Sequence, residues 1–394
     1  MNILVTGSNG FIGKNILVWL MQIPDYQVNG IEIDSNWVEI DQALATADFI
    51  VHLAGVNRPD KEEEFRKGNV DFTAEVCKRL IEMNKPTPFI LSSSIQSEYD
   101  NPYGISKRQA EQVVQEYGRQ SGAPVYIYRL PNVFGKWCRP YYNSVVATFC
   151  HNIARDLPIT ISDSARDLHL AYIDDVVKAF IEEIGNYLTV ESRQKIVPGH
   201  IKAENGGESE GENIFYRKIE PTYRIMLGPL AAMIQAFRES RRSLQLPDFS
   251  NEFTFKLYGT YLTYLTDDDF AYKLEERIDL RGCLAEFVKS PAFGQVFVSR
   301  TLPGITRGNH YHSTKAEKFL VVEGEAVIRF RHIQRGEAIE YRVSGADFRV
   351  LDIPPGYTHS IENIGSKELV TLFWSNEMFD LNRPDTYYLM VEQK

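Results

Sequence analysis

Cysteine is scarce in this chain of 394 residues: there are four, Cys77, Cys138, Cys150 and Cys283, with no Cys-x-x-Cys pair. That excludes a disulfide framework and fits a reducing, cytoplasmic setting. No apolar run reaches the roughly 18 residues that a membrane-spanning helix needs, so no membrane insertion is expected. With a strand expected from the first residues, no signal peptide is expected. Long runs of lysine or arginine are also missing, and the net charge is −10, which argues against nucleic acid as the main partner. An anionic small molecule is not excluded, because a pocket can be locally positive on an acidic protein. Otherwise the composition is ordinary, 43% hydrophobic and 24% charged, and the length suggests two domains.

What is present begins at once. Asn2 to Thr6 is a short apolar strand, followed by GSNGFIG and a helix with Ile12, Ile16, Leu17 and Leu20 at helical spacing. Strand, glycine turn and helix are the context in which glycines bind a dinucleotide. They allow a tight turn, let the backbone approach the pyrophosphate and pack the helix on the strand; the helix N-terminus receives the phosphates. A second strand is expected at residues 27–33, ending at Asp34. An acid there bonds the adenosine ribose and disfavours a 2′-phosphate, so Asp34 leans toward NADH; a solvated loop carboxylate would show the same spacing. A third strand at 47–53 leads into Ala54 and Gly55, small enough to leave space for a cofactor, and His52 within it reads as packed. Helices are expected at 72–84, with Asn69 just before, and at 103–118, and strands at 89–94 and 124–130. The alternation implies an α/β, Rossmann-type doubly wound parallel sheet with helices on both faces.

Residues 91–107, LSSSIQSEYDNPYGISK, read as the end of a buried strand, a short loop and a helix start. Tyr103 and Lys107, four apart, share a helix face. A nearby ammonium favours phenolate and lowers a tyrosine pKa from about 10. Such a tyrosine can give a proton to a carbonyl oxygen as hydride reaches its carbon. Ser94, at the strand end, could bind the same oxygen. A second Tyr-x-x-x-Lys pair, Tyr311 and Lys315, has no serine-tipped strand before it and reads as incidental.

GSNGFIG, VHLAG, SSS, YGISK and RLPNVFG together resemble the extended short-chain dehydrogenase/reductase family over about the first 245 residues. The resemblance implies that Gly7, Gly10 and Gly13 bind the pyrophosphate, with cofactor contacts also from Phe11, Ile12, Asp34, Leu53, Ala54, Gly55 and Asn69. It implies that Tyr103 is the acid/base, that Lys107 assists it and bonds the nicotinamide ribose, and that Ser94 binds the substrate oxygen. Tyr103 follows Ser94 by only nine positions, fewer than in most of that family, so Ser93 is an alternative hydroxyl. In nucleotide-sugar members the region after Asn132 grips the nucleotide diphosphate. Asn132 and Asn143 are the candidate substrate contacts, although Asn143 reads equally as a helix cap. Asp174 and Asp175 read as helix-capping residues.

Residues 200–213, HIKAENGGESEGEN, are acidic, Gly-rich and lack apolar anchors, which predicts a surface excursion. A helix is expected at 228–241. Residues 246–265 are rich in Phe and Tyr and read as an interdomain or subunit packing surface. From about residue 270 short strands and turns predict an all-β sandwich or barrel. The expected division is a reductase domain at 1–245, a packing segment at 246–269 and a β domain at 270–394.

Two clusters stand out in that domain: residues 304–324, GITRGNHYHSTKAEKFLVVEG, and 354–363, PPGYTHSIEN. His310 and His312 alternate on a strand and face one way. Glu317 follows after a turn, and His359 comes from another strand. Three imidazoles and a carboxylate suit a divalent transition metal such as zinc. His332 lies outside both clusters and reads as a surface or packing residue. The clusters resemble the two motifs of the cupin fold, a jelly-roll barrel, and the resemblance carries over His310, His312, Glu317 and His359 as metal ligands. The glycine usual six residues before Pro354 is replaced by Phe348. Residues 279–290 look like the entry strand of deoxysugar 3,5-epimerase cupins.

A reductase joined to a metal cupin, with VHLAGVNRP, FGKWCRP, YNSVVATFC and GNHYH, resembles the CapF-type family of capsular polysaccharide and O-antigen enzymes along nearly the whole chain. That implies a bifunctional, homodimeric enzyme of UDP-N-acetyl-L-fucosamine synthesis. The cupin would epimerise a UDP-4-keto-6-deoxy-HexNAc at C3, and the reductase would then reduce the C4 ketone. The family's reductant is NADPH, against which Asp34 points to NADH. Tyr311, Lys318 and Tyr357 are candidates for the epimerase base. Two other readings are a reductase with a structural or dimerising cupin, and a non-catalytic nucleotide-sugar scaffold, against which the intact Ser94, Tyr103 and Lys107 argue.

Overall fold

The computed structural model describes residues 1–194, 213–275, 277–279, 282–284, 288, 294–377 and 381–392. Of the acidic stretch 200–213 only Asn213 falls within them, and much of 279–290 also lies outside. The chain forms two compact units. The first contains residues 1–134, 142–144 and 168–224; the second contains 135–141, 145–167 and everything from Ile225, and so reaches across the expected boundary at 245.

In the first unit six parallel strands lie in the order Gln27–Ile31, Asn2–Thr6, Phe49–His52, Phe89–Ser94, Val125–Leu130, Ile214–Arg217. The chain runs outward from the first strand to the second, then crosses to the other side for the third. This makes a switch point between Asn2–Thr6 and Phe49–His52, where ligands of open α/β sheets bind beyond the strands' C-terminal ends. Leu4, Ile50, Phe89, Leu91, Val125 and Ile127 are buried against Val76, Leu80, Val114 and Tyr117 of two covering helices. Each such side chain contributes about 1.5–3 kcal/mol by leaving water. Those helices are Phe72–Glu82 and Pro102–Ser121.

The second unit carries two five-stranded antiparallel sheets. One has the order Ala271–Lys273, Arg349–Ile353, Glu317–Glu323, Leu369–Ser375, Gln295–Thr301. The other has Ala338–Ser344, Glu325–His332, Tyr357–Asn363, Thr306–Tyr311, Tyr387–Tyr388. Successive strands mostly alternate between the sheets, the jelly-roll arrangement of a cupin. The Phe- and Tyr-rich stretch forms helix Glu252–Leu262, with Phe253, Leu257, Tyr258, Tyr261 and Leu262 all buried. Tyr258 packs edge-on to Phe237 of helix Leu227–Ser243, and Phe249 lies 5.9 Å from Trp374 of the first of these sheets. Among the described residues no helix is long and apolar enough to cross a membrane. Cys77, Cys138 and Cys150 are buried free thiols.

Candidate functional site

At the switch point Gly7 has φ +68°, and a Cβ there would stand 2.9 Å from the Ala54 nitrogen. A Cβ on Gly13 would stand 2.2 Å from the Gly7 carbonyl oxygen. Gly7 must be glycine for the turn to close against the Leu53–Ala54 backbone, and Gly13 for the helix to pack against the Gly7–Ser8 backbone. Gly10 caps helix Phe11–Leu20, whose first turn carries no acidic residue. The uncovered N–H groups there fit a pyrophosphate. Thr6 Oγ1 accepts from the Leu53 and Ala54 N–H groups and meets His52 Nδ1 at 3.0 Å. His52 is fully buried, as expected of a packed residue, and burial lowers its pKa to about 3.

The carboxylate facing this turn is Glu32, not Asp34. Glu32 Oε1 accepts from the Ser8 hydroxyl and the Asn9 N–H. The strand ends at Ile31, two residues earlier than expected, so Glu32 is the first side chain past it and Asp34 is exposed on the next turn. Counting from the end of the apolar pairing, rather than from Ile33, which is 99% exposed, would have found it.

The strand Phe89–Ser94 passes through one 3₁₀ turn, Ile95–Glu98, into the helix that starts at Pro102. Asn101 caps that helix, accepting from Gly104 N–H at 2.8 Å. Gly104 lets the turn dock: a Cβ there would stand 2.2 Å from the Gln96 carbonyl oxygen. That close packing is how so short a loop brings the Ser94 hydroxyl close to the Tyr103 hydroxyl. Ser93 is turned away, donating at 2.5 Å to buried Glu111, which Arg129 pairs at 2.7 Å. Ser94→Ala is therefore expected to cut ketone reduction by about 10²-fold, within the range of a lost transition-state hydrogen bond. Ser93→Ala should leave turnover within about twofold and cost about 1 kcal/mol of stability. Steady-state kinetics and urea unfolding of both variants check this; the opposite ranking would make Ser93 the working hydroxyl.

Lys107 is buried, donates to the Ser92 carbonyl at 3.1 Å and lies 5.9 Å from the centre of the Tyr103 ring. A lowered tyrosine pKa was expected. Instead burial pushes Tyr103 up to about 12, against the opposing effect of the Ser94 hydroxyl. Burial also brings Lys107 down to about 8, opposed by Glu111. The phenol is thus protonated at neutral pH, the form that can donate to a ketone. Lys107 loses its charge as pH rises through about 8, so kcat/KM for reduction is expected to fall on that alkaline side. A profile flat to pH 9.5 would separate the lysine's charge from catalysis.

Asn69 sits in a π-helical turn, Lys67–Asp71, a local form frequent at functional sites. Its Oδ1 accepts from Val56 N–H at 2.7 Å, and its Nδ2 donates to Ser106 Oγ at 2.9 Å. It also lies against Gly55, as does the Lys107 ammonium. Phe65 packs 5.7 Å from the Tyr103 ring, and Tyr142 is close enough to add to its upward shift. Arg58 holds the Tyr142 carbonyl at 2.8 Å. Asn132 and Asn143 are both exposed, Asn132 opening strand Asn132–Phe134 and Asn143 standing two residues before helix Val145–Ala154. Asp174 and Asp175 lie in the first turn of helix Ile173–Gln194, and Asp174 accepts from Trp19 Nε1 at 3.0 Å.

In the second unit His310 and His359 are register partners on neighbouring strands. Glu317 opens a strand of the facing sheet, and His312 follows the end of Thr306–Tyr311. Ligand atoms of all four residues lie within 4.8 Å of one another. Gly308, at φ +99°, allows the approach, since a Cβ would stand 2.7 Å from the His359 carbonyl oxygen. His312 Nε2 and His359 Nε2 stand 3.3 and 3.4 Å from Glu317 Oε2. Both are buried and without a hydrogen-bond partner. Orphaned imidazole nitrogens converging on one carboxylate fit a divalent cation. Burial lowers His310 to about 4, so it is a neutral donor near pH 7. Burial opposes ionisation of Glu317, but His312 and His359 hold its carboxyl well below the usual range.

The candidate bases separate. Lys318 points to the opposite side of its strand from Glu317, into a buried pair with Asp352, and donates to Tyr272 Oη at 3.1 Å. Tyr357 Oη reaches Asp267 at 3.4 Å, and Tyr311 is buried. His332 is buried between Tyr357 and Trp137 rings, a packing residue. Lys315 donates to the Pro384 carbonyl. Phe348 keeps a positive φ of 41°, the conformation usually given to glycine.

Residues 3–196 match the model of the NAD dependent epimerase/dehydratase family, and residues 277–387 match the polysaccharide biosynthesis C-terminal domain. Fold and site thus define a short-chain reductase of the nicotinamide-dependent class, carrying a cupin. Over 391 residues the chain is 42% identical to UDP-2-acetamido-2,6-beta-L-arabino-hexul-4-ose reductase of Pseudomonas aeruginosa, covering 99% of each. It resembles the crystal structure of the capsular polysaccharide assembling protein CapF from Staphylococcus aureus, at 46% identity and TM-score 0.63, over 99% of this chain and 100% of that one. A CapF structure with the inhibitor 3-isopropenyl-tropolone is similar at 42% identity and TM-score 0.58, over the same shares. The chain belongs to this CapF-like family of reductases.

Proposed function

We propose that the protein reduces the C4 ketone of a UDP-linked 4-keto-6-deoxy-N-acetylhexosamine after epimerising its C3 in the cupin, in the route to UDP-N-acetyl-L-fucosamine. The observation that carries the reductase half is the convergence of Ser94, Tyr103 and buried Lys107 at the switch point of the sheet. A bound reduced nicotinamide supplies the hydride. Gly7, Gly10 and Gly13 and the helix behind them would hold its pyrophosphate, and Asn69, Tyr103 and Lys107 its nicotinamide end. Ser94 binds the ketone oxygen, and Tyr103 donates its phenolic proton to that oxygen. Lys107 keeps positive charge beside the phenolate that results.

The cupin half rests on the four-residue cluster. The proton on C3, next to a ketone, leaves readily only where negative charge on the oxygen is stabilised. His310, His312, Glu317 and His359 would hold a zinc ion, which would supply that Lewis acidity. His310 would offer a neutral imidazole, and the Glu317 carboxylate would offset one charge of the ion. The protein is proposed to act as a cytoplasmic homodimer, using NADPH or NADH; Glu32 beside Ser8 and Asn9 supports NADH, and the family resemblance supports NADPH.

Incubating the protein with a UDP-4-keto-6-deoxy-HexNAc and either reduced nicotinamide tests the proposal. Loss of nicotinamide absorbance with formation of one 4-hydroxy sugar is expected. No consumption of either cofactor would reject the substrate assignment.

A further inference from the structure

The C-terminal arm closes on the metal cluster through a residue that sequence motifs do not mark. The Asp385 carbonyl accepts from His312 Nδ1 at 2.5 Å, which leaves His312 Nε2 as the lone-pair nitrogen facing Glu317. The Asp385 carboxylate fastens the turn that follows. Oδ1 accepts from Ser313 N–H at 2.9 Å, and Oδ2 accepts from Thr314 N–H, Thr314 Oγ1 and Lys315 N–H at 2.9, 2.9 and 2.8 Å. This turn joins His312 to Glu317, so the carboxylate ties two of the four cluster residues to one place. Asp385 is held in turn. Lys315 Nζ donates to the Pro384 carbonyl at 2.8 Å, and Tyr388 and Tyr387 pair with His310 and Tyr311 as an added strand. Asp385 has φ +39°, which Asp and Asn tolerate better than most side chains.

We infer that Asp385 is a positioning residue of the cupin site, setting the tautomer and aim of His312 with its carbonyl and the His312–Glu317 turn with its carboxylate. The inference rests on the reading that the four residues hold a metal. Outer partners of this kind orient the ligands, and their loss typically costs about 10- to 100-fold in metal affinity.

The test is a zinc titration of the full-length protein against a chromophoric chelator, for wild type, Asp385→Ala, Asp385→Asn and His310→Ala. It is run at a temperature where circular dichroism shows each metal-free variant folded. Asp385→Ala is expected to bind zinc about 10- to 100-fold more weakly, and Asp385→Asn to fall between it and wild type. The amide NH2 of Asp385→Asn faces donors that a carboxylate oxygen accepted from, so its metal-free unfolding temperature should fall somewhat. A loss of zinc affinity in protein still fully folded at the assay temperature separates positioning from general stability. Wild-type affinity in both Asp385 variants would overturn the inference while leaving the metal site standing. If Asp385→Ala does not fold, wild-type affinity in folded Asp385→Asn overturns it. Absence of zinc binding by wild type would instead remove the metal reading itself, and the inference with it.

Discussion

Tyr103→Phe lowers kcat for ketone reduction by about 10²- to 10⁴-fold, the range contributed by a positioned general acid. The phenylalanine keeps the packing against Phe65 and the helix geometry that starts at the Asn101 cap. It removes only the hydroxyl that meets Ser94 and would face the ketone. Binding of reduced nicotinamide should persist, measured by fluorescence, because the glycine turn and Asn69 are untouched. Exchange at C3 should persist as well. A variant with more than a tenth of wild-type turnover would show that another proton donor serves the ketone and would bring back the scaffold reading.

The second large effect is expected in the cupin. His310→Ala, or treatment with a strong chelator, should abolish epimerisation, a greater loss than the 10- to 100-fold cost of an outer hydrogen bond. The reason lies in the geometry of the cluster. His310 pairs directly across from His359, and its removal leaves Glu317 facing two imidazoles with one corner of the set missing. Reduction of a ketone already epimerised at C3 should continue within about twofold, since Ser94, Tyr103 and Lys107 belong to the first unit. Loss of both activities together would show that the cupin supports the reductase fold. Full epimerisation after metal removal would show that the cluster is structural.

Much of this was legible in the sequence because it depends on local patterns. Glycines at 7, 10 and 13 after an apolar strand have few physical uses, and the alternation of short apolar runs with helical ones forces a parallel sheet. His310 and His312 two apart, with Glu317 and His359 in their motifs, pointed to one cluster, and the structure brings all four together. Features that depend on where an element ends were harder to read. The strand stops at Ile31, and that two-residue difference transfers the carboxylate at the turn from Asp34 to Glu32. The tyrosine pKa had the wrong direction, because four-residue spacing speaks for proximity to Lys107 but says nothing of the burial that outweighs it. Whether Ser93 or Ser94 faces Tyr103 depends on Glu111 and Arg129, 18 and 36 positions beyond Ser93, and on the turn docked at Gly104. Asp385 lies more than 70 positions from His312 and carries no motif; only the fold shows what it holds.

The most direct test of the central claim is proton NMR of the zinc-loaded protein with a UDP-4-keto-6-deoxy-HexNAc in D₂O, with no nicotinamide added. The C3 proton signal should disappear as deuterium enters, at the same rate in Tyr103→Phe, and should persist in His310→Ala or after chelation. A C3 proton that remains in zinc-loaded wild type, on a substrate the protein goes on to reduce when NADPH or NADH is supplied, would contradict the account and leave a reductase whose cupin has another task.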